Sequence, residues 1–186
     1  MYEKIAEKVS LFSLLLKEAP EMKYLGDPIL RTPTQNVSVE KGKEIGEKLG
    51  EVLLRIRKIK GSGRGLAAPQ IGESQSVFVT FVDDELQTYI NPNITSRSKE
   101  TNYYKELCLS SGIMSADIER PESITMEWTD EKGEKHNEKF DSFMARLLQH
   151  EEAHLRGIPN IDEASPGSVE IFTGNPLEEK LRENKT

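Results

Sequence analysis

Between Glu40 and Ile59 the apolar residues Ile45, Leu49, Leu53, Ile56 and Ile59 return every three or four positions, the period of a helix with one buried face. Ser38 is placed to cap its start, and Gly61-Ser62-Gly63 to end it. Ile5, Val9, Phe12 and Leu16 carry the same period over residues 3 to 18, which predicts an amphipathic helix packed on the outside of the protein. From Ser76 to Val82 β-branched and aromatic residues run in alternation, which predicts a strand, and Gln87 to Thr95 predicts another. Ser96 to Tyr104 is polar and reads as a loop. Glu122 to Trp128 and Glu134 to Phe140 alternate about Asp130-Glu131-Lys132-Gly133, the pattern of a hairpin. The helical period returns after Asp141, a candidate cap, with Phe143, Leu147 and Leu148 as an apolar stripe and Gly157 as the stop. Beyond Asp162 the chain is irregular, with a charged helix expected from about Pro176 to Glu183. No repeat and no domain-sized linker interrupts this order.

A length of 186 residues gives one folded unit, and 35% hydrophobic with 31% charged residues gives it a modest core and a wet surface. The net charge of −7 argues against nucleic acid as a direct ligand, because phosphate neutralisation needs clustered Lys and Arg. Leu11 to Leu16 is too short to span a membrane and has acidic neighbours at Glu7 and Glu18, unlike a signal or transit peptide. A single cysteine forms no internal disulfide, which suits a reducing cytoplasm.

The chemistry begins on the last predicted helix, in Gln149-His150-Glu151-Glu152-Ala153-His154. Residues four apart stack on one helix face, so His150 and His154 can present two imidazoles to one divalent ion. Glu151 is offset so that its carboxylate can serve as a general base beside that ion. The same spacing also arises by chance on a polar helix face, but two of the chain's three histidines lie here. A catalytic site takes three protein ligands and an open position. Cys108, in Glu106-Leu107-Cys108-Leu109-Ser110, is either the third or a small buried hydrophobe. Ligand type does not choose between zinc and ferrous iron. Gly63-Arg64-Gly65-Leu66-Ala67-Ala68-Pro69-Gln70 follows a helix and lacks the Gly-Lys-Ser/Thr ending of a phosphate loop. Gly63 and Gly65 instead suit a close backbone approach to a ligand.

These three runs, in this order, resemble the motifs of the peptide deformylases: Gly-x-Gly-Leu-Ala-Ala-x-Gln, Glu-Gly-Cys-Leu-Ser and Gln-His-Glu-x-Asp-His. Leu25 to Arg31 and Ile90-Asn91-Pro92 add to a resemblance that covers about residues 24 to 163. It implies an α+β fold, with small antiparallel or mixed sheets packed around a central helix carrying His-Glu-x-x-His. It divides the chain into a helical extension (1–22), a catalytic domain (23–163) and a tail with a short helix (164–186). The implied activity is removal of the formyl group from the N-terminal methionine of nascent polypeptides, in the cytoplasm, by a monomer that can work near the ribosome. The implied metal is Fe²⁺, with Zn²⁺, Ni²⁺ or Co²⁺ as replacements, held by Cys108, His150 and His154. Glu151 is then the base, and the Gln70 amide and Leu109 N–H hold the oxyanion. Gly65, Arg64 and Leu107 would line the peptide groove, and Phe143, Leu147 and the stem of Arg146 the methionine pocket.

Four positions depart from the motifs. Leu107 replaces a glycine, Arg64 an aliphatic residue, Ser111-Gly112 an apolar-Pro pair and Ala153 an acid. With that acid gone, Arg120 is expected to pair with Glu106. Leu107 and Arg64 keep open a related amidase acting on another N-acylated substrate. A metal-binding relative without catalysis is the remaining alternative, against which the intact Glu151 argues.

Overall fold

The structure, a computed structural model, describes residues 2–174. Three helices, α1 (Tyr2–Glu18), α2 (Val39–Lys60) and α3 (Ser142–Leu155), surround eight strands. The strands are β1 (Gly65–Ala67), β2 (Val77–Val82), β3 (Glu85–Arg97), β4 (Thr101–Leu107), β5 (Met114–Pro121), β6 (Ser123–Thr129), β7 (Lys135–Asp141) and β8 (Glu170–Ile171). They form a five-stranded sheet in the order β1-β2-β3-β6-β7 and a three-stranded sheet in the order β4-β5-β8, all pairs antiparallel. The α+β expectation holds.

The larger sheet is buried on both faces, which is why β2 reads as a nearly continuous apolar run. Leu66, Val77 and Val79 face Ile45, Leu49 and Leu53 of α2, while Ala67, Phe78 and Tyr89 face Ala145 and Leu148 of α3. Helix α2 starts where Ser38 accepts a hydrogen bond from the Lys41 N–H (3.3 Å) and stops at Gly61. It lies unusually close to β3. A Cβ at Gly42, Gly46 or Gly50 would come within 2.6–2.7 Å of Ile90, Thr88 or Leu86. Asp83 and Asp84, both with positive φ, make the tight β2–β3 turn.

The structure corrects the sequence reading in three places. Residues 96–104 are not a loop: β3 runs on to Arg97 and β4 begins at Thr101. Helix α1 is present, but its packed face holds Leu11, Phe12 and Leu15, whereas Val9 and Leu16 are about half exposed. Asp141 stands at the start of α3 without a side-chain capping bond. The helix expected at Pro176 to Glu183 lies outside the described residues.

Candidate active site

Strand β4 delivers Cys108 to the first residue ahead of a short turn, Leu109–Ser111, while one face of α3 delivers His150 and His154. The Cys108 Sγ lies 3.1 Å from His154 Nε2. The two imidazoles are 5.2 Å apart and nearly perpendicular. One donor atom from each of the three residues falls within 4.8 Å of the other two. His150 Nδ1 donates to Glu106 Oε2 at 2.8 Å, which leaves its Nε2 for the cluster.

Burial would push the Cys108 thiol up, but His154 and His150 outweigh it and hold the thiol well below its ordinary range. Burial likewise works against a charged His150, yet Cys108 and Glu106 raise it well above an ordinary histidine. The pocket therefore favours positive charge beside a thiolate. A soft thiolate with two imidazoles suits a divalent transition ion and leaves a further position open. The residues present therefore fit such a metal.

Glu106 is the hub of the site. It accepts from Arg120 Nε (2.6 Å) and Nη2 (2.9 Å), from Arg146 Nη1 (2.7 Å) and from His150. Burial alone would raise its pKa, but His150 and Arg120 hold the carboxyl far below the usual range. The expected Arg120–Glu106 pair is present, and Glu163 adds a second carboxylate 3.0 Å from Arg120. Arg146 also reaches Asn102 and the Ile118 carbonyl, so its guanidinium is engaged by groups of the protein itself. The links from Glu106 to His150 and Arg146 were not read from the sequence. One signal was available: on a strand, positions two apart share a face, so Glu106 and Cys108 emerge together.

Gln70 is buried; its Oε1 accepts from the Ala67 N–H (2.8 Å), and its Nε2 donates to Ser110 Oγ (3.1 Å) and lies 3.5 Å from Cys108 Sγ. The Leu109 N–H leads the turn after Cys108, where a helical turn does not use its first donors. Glu151 is buried with its Oε2 unpartnered, and burial raises its pKa to about 7 against the pull of His150 and His154. Gly65 makes room for it: a Cβ there would overlap the Glu151 carboxylate, with the carboxyl carbon only 2.6 Å away. The expected close approach at Gly65 is therefore to the base. Strand β1 is also an edge strand, paired only with β2. Arg64 lies over the Phe143 ring at 5.8 Å, Leu147 is buried, and Leu107 is half-buried beside Cys108.

The chain resembles known proteins over most of its length. The polypeptide deformylase family model matches residues 20–169. The chain belongs to that family. The peptide deformylase of Pseudothermotoga lettingae is 36% identical over 171 residues, covering 89% of this chain and 94% of the relative. That of Treponema pallidum (strain Nichols) is 38% identical over 144 residues, covering 76% and 86%. The crystal structure of the Thermotoga maritima peptide deformylase superposes with a TM-score of 0.70 at 34% identity, covering 78% of this chain and 97% of that one.

Among the departures from the deformylase motifs, Ala153 is buried and Ser111 Oγ donates to Asn160 Oδ1 at 2.7 Å. A second group of possible ligands, Asp130, Glu134 and His136, sits on the β6–β7 hairpin, where Asp130 accepts from the backbone of Lys132 and Glu134 and His136 stacks on Trp128. Those bonds account for it as turn chemistry. Among the described residues no helix is long and apolar enough to cross a membrane.

Proposed function

We propose that this member of the deformylase family hydrolyses the formamide bond at the N-terminal methionine of nascent polypeptides and releases formate. The observation that carries the reading is the convergence of Cys108, His150 and His154 beside the unpartnered carboxylate of Glu151. The three would hold Fe²⁺, with Zn²⁺, Ni²⁺ or Co²⁺ able to replace it. When bound, such an ion polarises a carbonyl and brings the pKa of water from about 15.7 toward 7.

The chain's own groups supply the rest. Glu151, with a pKa near neutrality, takes a proton from the attacking water and returns it to the departing amine. The Gln70 Nε2 and the Leu109 N–H stabilise the negative oxygen that develops on the formyl carbon, each donor contributing about 3 kcal/mol. Glu106 fixes the His150 ring by accepting its Nδ1–H. The free edge of β1 at Gly65 receives the substrate backbone, Arg64 and Leu107 flank it, and Phe143, Leu147 and the Arg146 stem enclose the methionine. Residues 23–163 would be the catalytic unit, working as a cytoplasmic monomer near the ribosome, with 1–22 an extension and 164–186 a tail.

Formate release from formyl-Met-Ala-Ser by iron-loaded protein prepared without oxygen tests this. Turnover supports it. No turnover on that peptide, with turnover on another N-acyl substrate, would assign the site to a related amidase instead. Leu107 and Arg64 are the residues that favour that second reading.

A further inference from the structure

Helix α3 has to serve two sheets at once. Its apolar residues Ala145 and Leu148 pack into a cluster with Phe78, Tyr89 and Met126 of the five-stranded sheet. Among the described residues, none from β4 or β5 belongs to that cluster. The two histidines are therefore anchored to one sheet, whereas Cys108 arrives from the other. Apolar contact is non-directional, so polar contacts must fix where the β4–β5 hairpin stands against the helix.

Arg146 makes those contacts. It lies one turn before His150, at i and i+4 on the same helix face. Its side chain is only 13% exposed. Nη1 donates to Glu106 Oε1 (2.7 Å) and to the Ile118 carbonyl (3.2 Å), and Nη2 donates to Asn102 Oδ1 (2.6 Å) and to the Asn102 carbonyl (2.9 Å). The guanidinium also lies 4.8 Å from the centre of the Tyr104 ring. Asn102, Tyr104 and Glu106 share one face of β4, and Cys108 is the next position on that face. Ile118 is the β5 partner of Tyr104. One planar group thus grips the three positions that lead up to the cysteine, and the neighbouring strand as well. Because side chains alternate, a one-residue slip of β4 would turn this face away from the arginine. Glu106 takes Arg146 on one oxygen and His150 on the other. The same arginine therefore reaches Cys108 through the strand and His150 through Glu106.

We propose that Arg146 is a positioning residue for the metal centre: it sets Cys108 against the histidines and so sets how tightly the triad holds its ion. This rests on the metal centre of the deformylase reading and is independent of the substrate. Lysine does not replace it, because an ammonium lacks the planar fork that serves acceptors on two strands. The test titrates Co²⁺ into protein folded without metal, in competition with a chelator, and records the thiolate-to-cobalt absorption band. Arg146→Met keeps the unbranched stem. It weakens Co²⁺ binding by about 10–100-fold, the usual loss when a group behind the ligands is removed, and it reduces the band. Arg146→Lys weakens binding by about tenfold. An arginine with a purely structural role would lower the urea midpoint and leave both metal readouts unchanged on folded protein. Wild-type affinity and absorption in either folded variant overturns the proposal and leaves the deformylase reading standing. Should Arg146→Met not fold, Arg146→Lys, which keeps the charge, decides on the same two readouts. Failure of the wild type itself to bind Co²⁺ with a thiolate band removes the metal centre, and with it both the proposal and the deformylase reading.

Discussion

Glu151 faces a residue that cannot be enlarged, since any side chain at Gly65 would run into its carboxylate. Two variants separate its chemistry from its setting. Glu151→Gln keeps the metal ligands and removes only the base, so metal content by elemental analysis stays near one per chain while formate release falls by about 10²–10⁴-fold. Near-normal turnover would mean that another group takes the proton. Glu106 makes a second prediction, in stability. Its folded pKa is depressed, so its contribution is fully present above the ordinary carboxylate value of about 4.3 and is lost as pH falls below it. Glu106→Gln leaves Arg120 short of its main partner and lowers stability at neutral pH by about 3 kcal/mol. Urea titrations from pH 7 down to 3 should show the wild type losing that advantage as the pH drops. A gap that stays constant with pH would show that packing, rather than charge, sets the difference.

At the scale of the element, the glycines at 42, 46 and 50 let the backbone of α2 settle onto β3. Gly46→Val places branched carbons where Thr88 already sits, and Thr88 is short and tied to Glu131 at 2.7 Å. Overpacking of this kind costs about 2 kcal/mol, less the small gain in helix propensity, and it appears as a lower urea midpoint with an unchanged slope. The elements legible in the sequence are those whose period is set by a buried face: α2, α3, β2, β3 and the β6–β7 hairpin. Strands β4 and β5 are hard to read because β4 is mostly exposed, and the buried positions of β5 mix Ser115 and Arg120 with Ala116 and Ile118, so neither shows a clean apolar alternation. Tyr103 is 60% exposed, and β4 has a single buried position, Glu106. The face of α1 is ambiguous in the sequence because two apolar stripes compete on it, and packing of Leu15 into the α2 core and of Phe12 edge-on against Tyr24 selects the one with Phe12. In the site, the ligands and the base could be proposed from residue spacing and motif. The grip of Glu106 on Arg146 and His150 joins distant segments and leaves no local period to read.

For the whole molecule, the ligand set couples metal binding to folding. An ion that binds the native chain alone, at about a thousand times its dissociation constant, adds about 4 kcal/mol, which for a chain of this size raises Tm by about 10 °C. Stripping it with a chelator should lower Tm by that amount in the wild type and leave Cys108→Ala unmoved. The β4–β5 hairpin gives this coupling a time order. The hairpin is inserted between β3 and β6, which pair with each other in a different sheet. Cys108 therefore reaches the histidines only after a detour away from the sheet on which α3 packs. Helices and tight hairpins close quickly, and contacts across long sequence separations form late. Until both sheets are in place the thiol is an ordinary exposed one, open to oxidation; once they are, it is 2% exposed and shielded by α3. During synthesis the cysteine is thus most vulnerable in the interval just before the site exists.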